Sequence, residues 1–330
     1  MHSRSIGPFE VSALGLGCMN VSMGYGKGDD DASERMLNAA LDHGYTLFDT
    51  AAMYGMGHSE SMIGRTLAHR RNEYVLASKC GVFRNAEGKS EINGRPEVLV
   101  KTCEDSLRRL QTDVIDLYYL HRIDSKVPVE DSVGALADLI TAGKIRTIGL
   151  SECSTETLLR AHRVHPITAV QSEYSLWSRT PERRILATCT ELDIAFVAFS
   201  PLARGFLTGK GSDNSQLPDN DIRCTNARPR FEPEVFAKNT ELLTPYKAIA
   251  ERVGCSMAQL ALAWVLAKGN HVVPIPGTKH MEYMIENAGA GDIKLDAETV
   301  DELDQLINES TVVGTRYTDN LMASIDSERD

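Results

Sequence analysis

No two of the seven cysteines, at positions 18, 80, 103, 153, 189, 224 and 255, stand in a C-x-x-C spacing, which excludes a zinc knuckle and a thioredoxin-type redox pair. Scattered thiols in odd number are expected to be free and buried in a reducing compartment, and no metal site is expected. Long apolar runs are also missing. The longest, over 258–267 and broken by Gln259, is far short of the ~20 residues of a membrane span, so no segment is expected to cross a bilayer. Residues 1–7 include Arg4 but are followed by no apolar block. No secretory signal is read there, and a cytoplasmic location is expected. Positive charge is short as well, with 35 Lys and Arg against 46 Asp and Glu and a net charge of -11. Such a chain repels polyanions, which removes nucleic acid from the expected partners. No linker rich in Gly, Ser or Pro divides the chain, and no low-complexity tract or short repeat occurs. What remains is ordinary for a folded protein: 42% hydrophobic and 25% charged residues over 330 positions, enough to bury a large core. That length allows two domains of ~150 residues or one large α/β barrel.

Short apolar, β-branched or aromatic runs predict eight strands, over 14–17, 46–49, 74–79, 114–120, 147–151, 169–172, 195–200 and 272–275. Helical periodicity predicts helices between and after them, over 32–42, 59–68, 96–110, 130–142, 155–164, 181–192, 234–267 and 281–288. Asp31 or Ser33 and Ser154 suit helix starts, and Gly44 and Gly143 suit helix ends. Alternating strands and helices imply parallel strands joined by crossovers, in an open doubly wound sheet or a closed barrel. The first strand is not followed by G-x-G-x-x-G, since Gly15-Leu16-Gly17-Cys18-Met19-Asn20 lacks the third glycine. Eight strands and that missing turn favour a (β/α)8 TIM barrel as a single domain over 1–330. Two additions are expected outside it: an N-terminal β-hairpin over 3–13 around Gly7-Pro8, and an extra C-terminal helix over 296–308. The irregular stretch 209–231 suits an active-site loop.

In a parallel barrel every strand ends on the same face, so polar strand-end residues converge however far apart they lie in the chain. The second strand ends at Asp49, the third at Lys79 and the fourth at His121, with Tyr54 in the loop after Asp49. An ammonium beside a phenol stabilises the phenolate and is expected to lower the Tyr54 pKa from ~10, with Asp49 holding the lysine. Tyr54 then serves as a general acid, and His121 hydrogen-bonds the same carbonyl oxygen. An ion pair closing the barrel top and a core histidine are the bland readings of the same residues. A barrel lyase or hydrolase using Lys79 as a Schiff-base amine is a further one.

The segments Leu47-Phe48-Asp49-Thr50-Ala51-Ala52-Met53-Tyr54-Gly55, Ala77-Ser78-Lys79 and Asp116-Leu117-Tyr118-Tyr119-Leu120-His121-Arg122 resemble the aldo-keto reductase family. The likeness continues through Lys144 to Ser151, Val170 to Ser175, Phe199-Ser200-Pro201-Leu202 and Pro274 to Thr278. In pattern the chain is similar to the pyridoxal reductase-like and perakine reductase-like branches. The resemblance implies NADPH-dependent, reversible reduction of an aldehyde or ketone, with Tyr54 as proton donor, Asp49 and Lys79 tuning it, and His121 orienting the carbonyl. It implies a cofactor site built from Gly17, Cys18, Met19, Asp49, Ser151, Gln171, Phe199, Ser200, Pro201, Leu202, Arg204, Gly205, Lys210, Gly277, Thr278, Lys279, Glu286 and Asn287. Within it Ser151 and Gln171 match carboxamide-binding positions, and Phe199 matches the ring stacked on nicotinamide. Arg204 and the loop after Leu202 are placed at the pyrophosphate, and Lys279 at the phosphate that separates NADPH from NADH. Glu152 stands where many members carry asparagine, and His280 where relatives often carry arginine, which leaves NADH open as a second cofactor. Tyr25, Phe83 and Trp177, each a few residues past a strand end, are candidate walls of a substrate pocket alongside His121. A small-molecule carbonyl compound is the expected partner. A nucleotide-holding regulatory module, similar to the potassium-channel beta subunits, is the competing reading.

Overall fold

The computed structural model describes residues 1–22, 24–25, 28–84, 90–210, 217–219 and 221–330. Part of the expected loop over 209–231, namely 211–216 and 220, lies outside the described residues. The chain opens with an antiparallel hairpin, β1 (Ser3–Ile6) and β2 (Phe9–Ser12), in which Ile6 faces Phe9. It continues through β3 (Leu16–Gly17), α1 (Asp30–Asp42), β4 (Leu47–Asp49), α2 (His58–Leu67) and β5 (Val75–Cys80). A second hairpin follows, β6 (Val82–Arg84) with β7 (Ser90–Ile92), which the strand pattern does not anticipate. After it come α3 (Pro96–Leu110), β8 (Ile115–Leu120), α4 (Val129–Thr141), β9 (Ile145–Ser151), α5 (Thr155–Val164), β10 (Ala169–Glu173), α6 (Ile185–Glu191) and β11 (Ala195–Phe199). The remainder is α7 (Pro233–Thr240), α8 (Leu243–Val253), α9 (Met257–Ala267), β12 (Val272–Pro274), α10 (Met281–Ala288), α11 (Ala297–Leu306) and α12 (Asp319–Met322).

Eight parallel strands pair in the order β12-β11-β10-β9-β8-β5-β4-β3. The two ends of that sheet meet: Gly15 N donates to Pro274 O at 3.0 Å and Gly17 N to Pro276 O at 3.2 Å. A Cβ on Gly17 would stand 2.8 Å from the Ile275 carbonyl oxygen, so the seam needs glycine there. This closure is the expected barrel. Two apolar layers hold it. The interior is filled by inward-facing residues such as Leu47, Ala77, Leu117, Tyr119, Ala169, Val197 and Val273, together with Ile6 and Val11 of the first hairpin. That hairpin is tied across the chain by Arg4, whose guanidinium donates to the carbonyls of Leu266, Gly269 and Val272. The outer layer lies between strands and helices. In α3 the buried positions Leu99, Cys103, Ser106 and Leu110 form one stripe of helical period.

Helix ends show where local chemistry decided. Asp29, not Asp31 or Ser33, caps α1 by accepting from Ala32 N, because only a residue ahead of the first turn reaches its free N–H groups. Ser154 caps α5, and Gly44 and Gly143 take left-handed backbone at φ 84 and 71 after α1 and α4. The expected helix over 234–267 is three helices. Gly254 ends α8 at φ 80, and Ser256 with Gln259 starts α9 as a capping box. The helix expected from 181 begins at Ile185, since a 3-10 turn over Thr180–Arg183 precedes it and Arg184 leaves helical backbone. All seven cysteines are free thiols. No single helix among the described residues is long and apolar enough to cross a membrane.

Candidate active site

Side chains alternate along a strand, so the residue two beyond an inward apolar position faces inward one layer higher. Leu47 leads to Asp49, Ala77 to Lys79, Tyr119 to His121, Ala169 to Gln171 and Val197 to Phe199, each lying above the apolar filling. The polar layer at the C-terminal face is therefore the continuation of the core pattern. Lys79 is fully buried; its ammonium donates to an Asp49 carboxylate oxygen and, at 2.8 Å, to Thr50 O. The other Asp49 oxygen accepts from Gln171 Nε2 at 2.7 Å. Tyr54 opens a short 3-10 turn, with its ring centroid 5.2 Å from Lys79 Nζ and 5.8 Å, edge-on, from the His121 ring.

Burial pulls the Lys79 ammonium down, but Asp49 and Tyr54 outweigh it and hold the pKa above the ordinary lysine value. A lysine kept charged and walled off from the cavity does not present a free amine, which counts against the Schiff-base reading. Tyr54 is pushed up, against the lowering expected from its neighbours. Desolvation is the largest influence and Asp49 adds to it, together outweighing the pull of Lys79 and Arg122. The phenol is thus held in its protonated, donor form. His121 is held well below 6.5 by burial and by the Arg122 and Lys79 charges, and so stays neutral. Its Nδ1 is buried with no partner among the described residues, leaving Nε2 as the ring nitrogen open to the cavity.

These groups sit in a cavity of about 1650 Å³ that runs across the strand ends. Every residue named above for the cofactor lines it, as do Tyr54, His121 and Tyr25. Its floor carries Ser151, Gln171 and Phe199. Ser200, Ala203 and Arg204, three non-glycine residues at φ 50, 51 and 56, turn the chain along one side. Left-handed backbone of this kind costs ~1–3 kcal/mol per residue and collects where a ligand is clamped. A cavity of this size lined by an aromatic face, Phe199, and by the cations Lys210 and Lys279 fits a nicotinamide dinucleotide phosphate. Lys210 Nζ lies 3.2 Å from Glu286 and 4.1 Å from the Tyr283 ring centroid, while Lys279 Nζ donates to Tyr25 O at 2.9 Å.

Three side chains stand otherwise than expected. Trp177 is core, not wall: its indole stacks on Phe206 at 4.1 Å and meets Phe231 edge-on at 5.6 Å. Phe83 does not line the cavity, because strand alternation sends Val82 and Arg84 to the cavity side of β6 and Phe83 to the other. Arg204 touches the cavity, but its guanidinium is not available to a phosphate; it is spent on Glu173 Oε2 at 2.6 Å and Arg316 O at 2.8 Å.

Arg204 belongs to a buried ion network that sequence reasoning missed. Glu152, at φ 53 and fully buried, accepts from both Nη atoms of Arg316 and from Ser327 Oγ at 2.6 Å. Arg316 also pairs with Glu173 and Glu328. Burial alone would raise the Glu152 carboxyl, but Arg316 holds it down at about 2. Glu152 therefore ties the C-terminal segment to the barrel rather than meeting a carboxamide. Through this tie Tyr317, Leu321, Ser324 and Ile325 become cavity wall. The β6–β7 hairpin and the loop after β8 supply further wall that no motif announced. A glutamate directly after a strand-end serine, and an arginine near the terminus, are the signals that the sequence offers.

Comparison with known proteins gives one consistent result. The Aldo/keto reductase family model matches residues 13–308. The chain is 42% identical over 321 residues to an NADP(+) aldo-keto reductase of Schizosaccharomyces pombe, covering 96% of this chain and 94% of the relative. The structure of a glycerol dehydrogenase from Gluconobacter oxydans superposes with a TM-score of 0.83 at 30% identity, covering 98% of this chain and 96% of that one. An aldo-keto reductase of Klebsiella pneumoniae in complex with NADPH superposes at 0.72 with 29% identity, covering 96% and 99%.

Proposed function

Because the chain belongs to the aldo/keto reductase family, we propose that it is an NADP-dependent carbonyl reductase in which Tyr54 delivers the proton. NADPH, when bound, supplies the hydride that reduces an aldehyde or ketone to the alcohol. The observation that carries the residue roles is the Tyr54 phenol beside the neutral His121, at the cavity wall above the buried Lys79–Asp49 pair. Tyr54 gives its proton to the carbonyl oxygen as negative charge develops there. Lys79 then stabilises the phenolate left behind, and Asp49, held by Gln171, keeps the ammonium in place. His121 Nε2 donates a hydrogen bond to the same oxygen and fixes the carbonyl in place for reduction. Phe199 and the left-handed turn through Arg204 would hold the cofactor, and Ser151 and Gln171 would bind its carboxamide.

The single-domain reading over 1–330 is supported by both chain ends bonding to the barrel, through Arg4 and through Arg316. An open cavity beside the complete set of four side chains supports turnover over a nucleotide-holding regulatory module. The test is consumption of NADPH and NADH, followed at the reduced-nicotinamide band, against aldehydes, ketones, quinones and pyridoxal. Steady oxidation of NADPH by a carbonyl compound is expected; nucleotide binding without turnover on any of them refutes the proposal.

A further inference from the structure

Three carboxylates at the candidate active site are already answered by cations. Lys79 pairs with Asp49, Arg316 with Glu152, and Arg204 with Glu173. Asp124, in the loop after β8, accepts from the backbone N–H groups of Gly94 and Lys126 at 3.0 and 2.8 Å. Among the described residues, Arg122 has no carboxylate partner. Arg122, the residue after His121, lines the cavity and is half-buried. Its Nη1 donates to His121 O at 2.6 Å and to Ser151 Oγ at 3.1 Å. Its Nε and Nη2 have no partner among the described residues, and these two atoms form the edge that grips a carboxylate side-on with two parallel hydrogen bonds. Lys126, four residues on, also lines the cavity and pairs with no carboxylate among the described residues.

We propose that Arg122, with Lys126 at the outer edge, is a carboxylate subsite, so that the carbonyl compounds this enzyme reduces best are carbonyl acids. The proposal rests on the carbonyl-reductase reading and adds the substrate class. The Nε and Nη2 edge is open to the cavity and met only by water, and a carboxylate that replaces this water gains two parallel charge-assisted hydrogen bonds in a partly desolvated site. The chain's net charge of -11 repels anionic substrates at long range, so their capture needs a local cation of this kind beside the reacting centre. Lys126, more exposed, acts on the approach of the anion rather than on its grip.

The test compares 4-carboxybenzaldehyde with its methyl ester, methyl 4-formylbenzoate, a pair that differs in charge while keeping the same ring and aldehyde. With the full chain and NADPH, kcat/KM is expected to favour the acid. Arg122→Gln is expected to lower kcat/KM for the acid by about tenfold to a hundredfold, mainly through KM, and to change the ester much less. Arg122→Lys is expected to restore part of the loss. Calorimetry adds a readout free of turnover, in which benzoate binds the wild type and loses affinity in Arg122→Gln. Equal losses on acid and ester would assign Arg122 a general electrostatic role and overturn the subsite, as would a wild type that reduces both equally well. If the wild type reduces no carbonyl at all, the reductase reading itself falls and takes the subsite with it.

Discussion

Replacing Arg316 by methionine removes the cation at the centre of the buried network and leaves Glu152 charged with no water to replace it. The magnitude follows from the carboxyl. A glutamate that titrates near 2 instead of 4.5 draws about 3 kcal/mol of stability from the fold at neutral pH, at ~1.4 kcal/mol per pH unit. Breaking one side of a buried ion pair costs ~3–5 kcal/mol in general, which agrees. The sign with pH is fixed as well. Because the folded-state pKa is depressed, the contribution is complete above 4.5 and is lost as the pH falls toward 2. Urea unfolding of Arg316→Met at pH 7, followed by far-UV circular dichroism, is therefore expected to show a loss of about 3–5 kcal/mol. Limited chymotrypsin digestion is expected to cut the freed segment after Tyr317 and Leu321, faster than in the wild type. Adding Glu152→Gln to the same chain recovers part of the loss, since no bare charge stays buried. A loss below about 1 kcal/mol, or a double variant no better than the single one, would refute the assignment of this network as the tie for the C-terminal wall.

Other outcomes follow from the same geometry. Burial and the Arg122 and Lys79 charges hold His121 neutral well below 6.5, and desolvation keeps Tyr54 protonated above its ordinary 10. The kcat/KM for reduction is thus expected to show no titration of His121 between pH 6.5 and 8, and to fall only when alkali removes the Tyr54 proton above 10; a pH profile with a limb near 6.5 that His121→Gln abolishes would contradict it. Lys279→Met is expected to raise the NADPH Kd by about tenfold to a hundredfold and leave the NADH Kd nearly unchanged, as measured by fluorescence titration. Trp177→Ala is expected to cost ~3–5 kcal/mol in urea unfolding, through the lost stack on Phe206, with little effect on KM; a large KM effect without destabilisation would return Trp177 to the substrate wall.

Most of what positions the active site was legible along the chain because it depends on local pattern. Parallel strands buried on both faces appear as apolar runs, and the layer bearing Asp49, Lys79 and His121 continues the same alternation that fills the barrel. What was hidden depends on partners far apart in sequence. Nothing near Trp177 announces Phe206 and Phe231, which turn it inward. Glu152 and Arg316 lie 164 positions apart, and only the folded chain shows that Glu173 consumes the Arg204 guanidinium otherwise suited to phosphate. Phe83 was misplaced for a smaller reason: the direction of a side chain on β6 depends on its pairing with β7, and one position along a strand reverses the face. The Tyr54 pKa went the other way because residue types reveal neighbouring charges but not the desolvation that outweighs them.

The proposed reduction depends first on proton donation by Tyr54. Its most direct measurement is single-turnover oxidation of bound NADPH by an aldehyde that the wild type reduces, compared with Tyr54→Phe at equal cofactor saturation. Loss of a positioned general acid slows the chemical step by about a hundredfold to ten-thousandfold, so a drop of that size is expected in the variant, with the NADPH Kd preserved. A variant that turns over at the wild-type rate would contradict it.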